Sequence, residues 1–279
     1  MTGEADSGGL AAAPLGHATG YPDTYDPGQL FTVARAPQRA ALGLGSALPF
    51  TGSDVWTAYE LTWLDPRGKP AIAIATLDVP AGSPALVESK SMKLYLGSFA
   101  QSVYASPDDV AAIVGRDVAA AVGTPVRVTL RTSDAFAAER VALLSGESID
   151  GLDAACRHDD VDPDALASGG TAVDEALTTD LFRSVCPVTG QPDIASVRIA
   201  YRGPRIDRAG LLRYLVSYRR HPGFHEHCVE RIFVDVIARC APAVLTVQAR
   251  FTRRGGIDIN PFRTSASLAT PPNVRTPRQ

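Results

Sequence analysis

The feature that most constrains the fold of this 279-residue chain is an order of secondary-structure elements that occurs twice. Each half reads strand, strand, helix, helix, strand, strand, and a polar segment at 151–170, rich in turn-forming Asp and Gly, separates the halves. An order that recurs predicts two similar modules, and this one is typical of antiparallel sheets with two helices on one face. We therefore predict an α+β fold with an irregular arm at 1–50, a first module at 51–150 and a second at 171–279.

Hydrophobic periodicity and capping residues place the elements of each module. Ser106 followed by Pro107 predicts the start of a helix, and Asp207 predicts the start of another. Alternation in 245–251 predicts a strand with one polar face, and the Ser/Thr/Pro-rich tail from 265 is expected to be loose. The remaining predictions are helices at 88–101 and 225–240, and strands at 55–64, 71–79, 126–130, 140–144, 177–185, 196–201 and 257–262.

Charge and composition exclude several classes of protein. The net charge is −3, which gives no electrostatic pull toward nucleic acid, and no apolar run is long enough to span a bilayer. The N-terminal residues lack the basic and apolar regions of a secretory signal. Four cysteines without a C-x-x-C pattern favour a reducing compartment. We expect a cytoplasmic protein with neither a nucleic acid nor a membrane as its partner.

Cys186 and Asp193 are the first candidates for chemistry. Cys186 follows a predicted strand among turn-forming residues, and Asp193 lies seven positions later. Most free cysteines are simply small buried hydrophobic residues, and a lone loop carboxylate needs no function. Together, however, the two side chains could serve as a nucleophile and a proton donor.

A second candidate is the segment 221–228, which holds three of the five histidines and Cys228. His225 and Cys228 could share a helix face as zinc ligands, but His227 points elsewhere and a third ligand is not evident. The alternative is a polar helix N-terminus, where Glu226 suits the helix dipole, above a core cysteine. Cys240 lies on the apolar stripe of the same helix, and Cys156 lies in the linker.

Two basic clusters could bind phosphate. Lys90 and Lys93 lie near the start of the helix predicted at 88–101, and Arg253–Arg254 are followed by two glycines. Solvated surface charge is the simpler interpretation, whereas cations beside approachable glycine N–H groups are typical of anion sites. The chain contains neither the G-x-G-x-x-G fingerprint nor a P-loop, so a dinucleotide would have to be held in another way.

Several segments together resemble the NADPH-dependent 7-cyano-7-deazaguanine reductases, the QueF family, in its long two-module form. The resemblance covers nearly the whole chain, and the motifs agree in order and spacing. The segments that carry it are ESKSMKLY at 88–95, CPVTGQPD at 186–193, LLRYLVSYR at 211–219, FHEHCVERIF at 224–233 and RRGGIDINP at 253–261.

The resemblance implies a fold, a reaction and a partner. The fold would be two tandem tunnelling-fold modules in one chain, which pairs into a homodimer. The reaction would be the reduction of a deazapurine nitrile, 7-cyano-7-deazaguanine, to 7-aminomethyl-7-deazaguanine with two NADPH, and the product would enter queuosine modification of tRNA.

The resemblance also implies the site residues. Cys186 would form a covalent thioimide and Asp193 would donate protons, with help from His225. No metal is implied, and the pocket is expected to take residues from both modules. The substrate would be bound by Val87, Glu88, Ser89, His225 and Glu226, and NADPH by Ser89, Lys90, Arg254 and Gly255.

Three other functions remain open at this stage. A zinc-dependent hydrolase similar to GTP cyclohydrolase would use the His/Cys segment. A non-catalytic pterin- or purine-binding protein would bind ligand while Cys186 stays unreactive. An RNA-binding protein is disfavoured by the net charge and by the lack of an RNA-binding motif.

Overall fold

The computed structural model of the chain describes residues 20–156, 160–266 and 271–279, and it confirms a mixed α+β fold. The chain divides into two compact units. The first contains Val55–Glu139 and Arg253–Asp258 with the residues up to Gly45; the second contains Ser46–Asp54, Arg140–Thr252 and Ile259–Gln279. Within the described ranges, no helix is long and apolar enough to cross a membrane.

The first unit contains three neighbouring strands of one larger sheet, a two-stranded sheet and three helices. In the larger sheet β3 lies between β2 and β5, and in the smaller one β1 pairs with β4 in antiparallel fashion. In chain order the elements are β1 (Thr32–Ala34), α1 (Ala36–Ala41), β2 (Thr51–Leu64, whose first four residues belong to the second unit), β3 (Pro70–Pro80), β4 (Ala85–Val87), α2 (Ser89–Gly97), α3 (Pro107–Val122) and β5 (Arg127–Thr132).

The second unit contains a sheet in the strand order β6-β7-β8-β9-β10 and two helices. The pairs β7–β8, β8–β9 and β9–β10 are antiparallel, and only the two-residue β6 runs parallel to its neighbour. The elements are β6 (Glu147–Ser148), β7 (Ser168–Val185), β8 (Pro192–Ile206), α4 (Arg208–Ser217), α5 (His225–Cys240), β9 (Val244–Phe251) and β10 (Ile257–Thr264, whose first two residues belong to the first unit).

The helix starts predicted from capping residues are confirmed. The Ser106 hydroxyl accepts from the Asp109 N–H, and α3 ends at Gly123, whose φ of 76° suits a residue without Cβ. The Asp207 carboxylate accepts from the N–H groups of Ala209 and Gly210. Helix α5 has the predicted bounds, and its buried stripe is Val229, Ile232, Phe233, Val236 and Cys240.

Several predicted bounds are wrong. Residues 140–144 form no strand, because only Val141 makes an isolated bridge and its side chain stays exposed, so the first unit ends in one strand rather than two. Helix α2 ends at Gly97, short of the predicted 101, and the expected irregular arm contains β1 and α1. Strand β7 begins at Ser168, inside the predicted linker, because pairing with the long β8 extends it through a bulge near Gly169.

The expected open polar face of β9 and the loose tail are also wrong. Thr246, Gln248 and Arg250 are all less than a tenth exposed. Arg250 donates to Gln279 Oε1 and Asn273 Oδ1, so the segment 271–279 covers this face. The tail is held by specific hydrogen bonds, which its Ser/Thr/Pro composition does not reveal. Residues 267–270 lie outside the described ranges, as do 1–19 of the arm and 157–159 of the linker.

The two units share individual residues as well as an element order. In the first, Tyr95 on α2 donates to Asp117 on α3, and the Ser98 hydroxyl donates to the Tyr95 carbonyl and accepts from the Asp26 N–H. Asp26 caps a short 3₁₀ helix at Pro27–Gln29.

The second unit repeats each of these contacts. Tyr214 on α4 donates to Asp235 on α5, and the Ser217 hydroxyl donates to the Tyr214 carbonyl and accepts from the Asp162 N–H. Asp162 precedes the 3₁₀ helix Pro163–Ala165. The repeat is therefore one of residues, and the segments DPGQL at 26–30 and DPDAL at 162–166 show it in the sequence.

Candidate functional site

Cys186 lies at the turn that joins β7 to β8. Its N–H donates to the Gln191 carbonyl at 2.8 Å, and its carbonyl accepts from Gly190, which needs its φ of 68° to close the turn. Ser184 pairs directly with Asp193 in the β7–β8 register, and Cys186 follows Ser184 by two positions. Because side chains two apart in an extended strand share a face, this register brings Cys186 and Asp193 to one side of the hairpin. Both residues are 5 % exposed.

The start of α5 is attached to the same hairpin. Val185 donates to the His221 carbonyl at 3.0 Å, and the Gly223 N–H donates to the Val185 carbonyl at 3.1 Å. These bonds hold the segment before α5 against the strand end, and His225 is the first residue of the helix. His225 Nε2 lies 3.2 Å from Asp193 Oδ1, although the two atoms are not aligned as a hydrogen bond.

The imidazole of His225 is neutral near pH 7. Burial lowers its pKa to about 4, against the opposing effects of the nearby carboxylates Glu226 and Asp54. Its ring also lies 3.9 Å from the ring of Phe251, centroid to centroid. A neutral imidazole beside a buried carboxyl can exchange a proton with it, which is what an acid used more than once in a reaction requires.

Glu226 offers a buried carboxylate at the N-terminus of α5. It is 2 % exposed and lies in the first turn, and Phe224 at the N-cap position supplies no side-chain hydrogen bond to the helix. The helix dipole favours negative charge at this position. Glu226 is thus suited to accept hydrogen bonds from the N–H groups of a ligand.

The first unit holds the second group of predicted substrate residues. Glu88 is fully buried and caps α2, because its carboxylate accepts from the N–H groups of Lys90 and Ser91 at 2.6 and 2.9 Å. The Ser89 hydroxyl also donates to it at 3.3 Å, and Val87 is buried at the end of β4. Each carboxylate oxygen has two lone pairs, so the cap leaves Glu88 able to accept from a ligand.

The predicted phosphate-binding residues also lie in the first unit. Gly255 and Gly256 have φ values of 56° and 79°, and a Cβ on Gly255 would come within 2.8 Å of Lys93 Nζ. The turn that contains Arg254 therefore packs closely on α2, the helix that carries Lys90 and Lys93. Cations and positive-φ glycines in such proximity fit the phosphates of a dinucleotide. Lys93, which belongs to the same basic cluster as Lys90, also lies beside this turn.

The geometry does not favour the zinc alternative. No three His, Cys, Asp or Glu side chains come together in a way that could hold a metal ion, among the residues that the structure describes. Burial raises the pKa of the Cys228 thiol to about 12 and that of Cys240 to about 11, so both behave as packed thiols. Cys156 is half-buried.

Sequence reasoning missed a set of buried polar atoms around this site. Ser184 Oγ, His221 Nε2 and His227 Nδ1 are buried without a hydrogen-bond partner. The density of histidines in 221–228 was a signal for two of them, but Ser184 gives no sequence signal, because its importance comes only from the register that sets it opposite Asp193.

Comparison with known proteins gives a consistent result. Residues 21–130 match the family described as nitrile reductase, 7-cyano-7-deazaguanine-reductase N-term, and 192–270 match the family described as QueF-like protein. A relative from Burkholderia pseudomallei (strain 1106a), named NADPH-dependent 7-cyano-7-deazaguanine reductase, is 55 % identical over 269 residues, covering 96 % of this chain and 98 % of the relative.

A relative with the same name from Chromobacterium violaceum is 54 % identical over 269 residues, covering 96 % of each chain. Among solved structures, an apo archaeosine synthase QueF-Like is 20 % identical and covers 36 % of this chain and 99 % of its own, with a TM-score of 0.31, which is too low to bear on the fold.

Proposed function

Because this chain belongs to the family of the NADPH-dependent 7-cyano-7-deazaguanine reductases, and is thus an NADPH-dependent oxidoreductase, we propose that it reduces the nitrile of 7-cyano-7-deazaguanine to the primary amine through a covalent intermediate on Cys186. The observation that carries this proposal is the arrangement at the end of the β7–β8 hairpin. A cysteine, a buried carboxyl and a neutral imidazole are gathered there by backbone hydrogen bonds.

The Cys186 thiol adds across the carbon–nitrogen triple bond. A bond forms between sulfur and the nitrile carbon, one π bond breaks, and the nitrogen takes a proton, which gives a thioimide. This splits a difficult reduction into easier steps, because the C=N bond of a thioimide accepts hydride more readily than a nitrile. NADPH supplies the two hydrides. Between them the C–S bond breaks, which frees the thiol and leaves an imine that the second hydride reduces.

Asp193 donates protons to the substrate nitrogen, and His225, which lies beside it, assists the later protonations. Each of the two reduction steps consumes a proton as well as a hydride, so the acid must be recharged within one turnover. The 3.2 Å separation of His225 Nε2 from Asp193 Oδ1 supports this pairing. Phe251 beside the imidazole excludes water from this exchange.

Glu88 and Glu226 recognise the base by accepting hydrogen bonds from its ring and amino N–H groups, and Val87, Ser89 and His225 also contact it. Both carboxylates are almost fully buried, so an analogue that lacks these donors would forfeit hydrogen bonds made away from water. Sites of this kind reject such analogues strongly.

Ser89, Lys90, Arg254 and Gly255 hold NADPH. The close packing of the 253–256 turn on α2 supports this assignment, because it sets cations and glycine N–H groups beside one another in the first unit. We assign no metal to the site.

The two compact units correspond to two tunnelling-fold modules, and the chain acts as a homodimer in the cytoplasm. The residue-level repeat supports the two modules, and the four free thiols suit a reducing compartment. The product serves the queuosine modification of tRNA as a free base, without contact between this protein and the nucleic acid.

The test is intact-protein mass spectrometry after mixing with 7-cyano-7-deazaguanine in the absence of NADPH. Wild type should gain the mass of one substrate per chain and lose it when NADPH is added. Cys186→Ala should gain nothing, and Cys240→Ala, which removes another buried thiol of the same unit, should behave as wild type. An adduct that survives in Cys186→Ala, or its absence in wild type under native conditions, would refute the covalent mechanism.

A further inference from the structure

The second unit contains a fully buried group of three charged side chains that the proposed mechanism does not use. The Arg263 guanidinium on β10 is 0 % exposed and lies 2.8 Å from Asp54 Oδ1 on β2 and 2.8 Å from Glu230 Oε1 on α5. The side chains of Asp54 and Glu230 are 1 % and 4 % exposed. Arg263 also donates to the carbonyls of Ser53 and Phe262.

A buried group of charges contributes little net free energy to the stability of a fold. Removing three charges from water costs more than a well-packed apolar replacement would, and breaking one partner leaves the others unpaired. An aromatic pair, Phe50 and Phe233, already packs here, and Arg263 lies over Phe50 at 5.5 Å. The function of this group is therefore argued from where its charges lie in the fold, and not from a contribution to stability.

The group adjoins the start of α5. Glu230 follows Glu226 by four residues, so the two carboxylates lie on one face of the helix, one turn apart, and both are buried. The Arg263 contact neutralises Glu230 and fixes the first turns of α5 against β2. The carboxylate of Asp54 acts on His225 as well, in the same sense as Glu226.

We propose that Asp54, Arg263 and Glu230 are positioning residues of the active site, in which Arg263 clamps the start of α5 to β2 so that Glu226 and His225 are held in place within the field of Asp54. This inference rests on the proposed function for the roles of Glu226 and His225. In this proposal the triad acts through those two side chains and not by its own contact with substrate or NADPH.

Among the described residues, carboxylates from three elements lie beside His225 or act on its charge. They are Asp193 from β8, Glu226 from α5 itself and Asp54 from β2, and Phe251 from β9 adds an apolar wall. Replacing Asp54 by its neutral isostere removes one of these charges and keeps an oxygen for Arg263.

The experiment compares Asp54→Asn and Arg263→Lys with Asp235→Asn. Asp235 is a matched control, because it lies on the same helix and accepts from Tyr214, away from the start of α5. The first readout needs no substrate: the NMR titration of ¹³C-labelled histidine between pH 7 and 4.5, with the His225 signal assigned from His225→Gln and folding checked by circular dichroism. The second is the split of kcat and KM for 7-cyano-7-deazaguanine and for NADPH.

We expect Asp54→Asn to reduce the protonated fraction of His225 at pH 5 about threefold, which corresponds to half a pKa unit. Arg263→Lys, which cannot bind both carboxylates in the same fork geometry, should raise KM for the base about tenfold and leave KM for NADPH unchanged. Asp235→Asn should change neither quantity.

An unchanged His225 titration in Asp54→Asn would overturn the proposal, and so would equal losses for both substrates in Arg263→Lys. If Arg263→Lys does not fold, Asp54→Asn alone decides. A failure of the proposed function would be distinguished from these results, because wild type would then form no adduct with the nitrile while the histidine titration would still be measured.

Discussion

The two units of this chain share a scaffold but differ in what they place at equivalent points of it. In both, a tyrosine on one helix (α2 or α4) donates to an aspartate on the next (α3 or α5). A serine ties α2 or α4 to an Asp-Pro segment. In the first unit α3 begins with Pro107 and Asp108, which are exposed, whereas in the second unit α5 begins with His225 and the buried Glu226. The scaffold thus sets positions, and of these two equivalent helix starts only that of α5 carries a buried carboxylate.

The helix starts show the physical basis of this difference. Ser106 satisfies the first turn of α3 with its own side chain, so nothing further is needed there. Phe224 supplies no such bond to α5, and the polar atoms His221 Nε2 and His227 Nδ1 near this start are buried without partners. Unsatisfied groups cost stability, so their concentration in one unit marks where function has taken precedence over stability.

The largest expected effect is a loss of kcat when the proposed proton donor of the second unit is replaced. Asp193→Asn should lower kcat about 10²- to 10⁴-fold, because the amide cannot donate a carboxyl proton, and it should change KM much less. The measurement is steady-state kinetics over a range of pH. Asp180→Asn, a change in the same hairpin, is the control and should retain activity; a mainly KM effect at Asp193 would make it a binding residue.

The next largest effect is a loss of folding stability at acidic pH. Burial lowers the pKa values of His221 and His225 from 6.5 to about 4, so the unfolded chain binds their protons at a higher pH than the folded chain does. Stability should therefore fall as the pH drops from about 6.5 to 4, by up to about 3 kcal/mol per histidine, and level off below that.

All histidines within the described residues lie in the second unit, so the loss should be local to it. Hydrogen exchange at pH 7 and pH 5, corrected for intrinsic rates, should show α5 and its sheet losing protection while α3 keeps it. The double variant His221→Gln, His225→Gln should flatten the difference. An equal loss of hydrogen-exchange protection in both units would contradict the prediction that only the second unit is sensitive to acid.

The smallest effect tests the shared scaffold itself. Tyr95→Phe and Tyr214→Phe each remove a hydroxyl that donates to a carboxylate, and each should lower the free energy of unfolding by about 2 kcal/mol. Urea unfolding followed by circular dichroism measures both. Activity should persist in each variant at permissive temperature. A large loss of unfolding free energy for one variant and none for the other would show that the two equivalent hydrogen bonds do not stabilise their units equally.

Much of the fold followed from local patterns, because caps and periodicity act within a few residues. Helix α5 could be bounded to the residue, and Cys186, Asp193 and His225 could be named from their motifs. The failures have a common cause. Residues 140–144 alternate like a strand but pair only through an isolated bridge at Val141. The polar side of β9 reads as exposed although the tail covers it.

The sequence by itself determined the α+β class, most of the order of the elements and the family, and it named the residues that we propose to carry chemistry, since each of these depends on residues close together in the chain. Only the tertiary structure decided what those residues meet. The approach of His225 to Asp193 depends on bonds between β7 and the segment before α5, and the Asp54–Arg263–Glu230 group joins positions as far as 209 residues apart. Burial and long-range pairing set pKa values and geometry, and neither can be read from a local pattern.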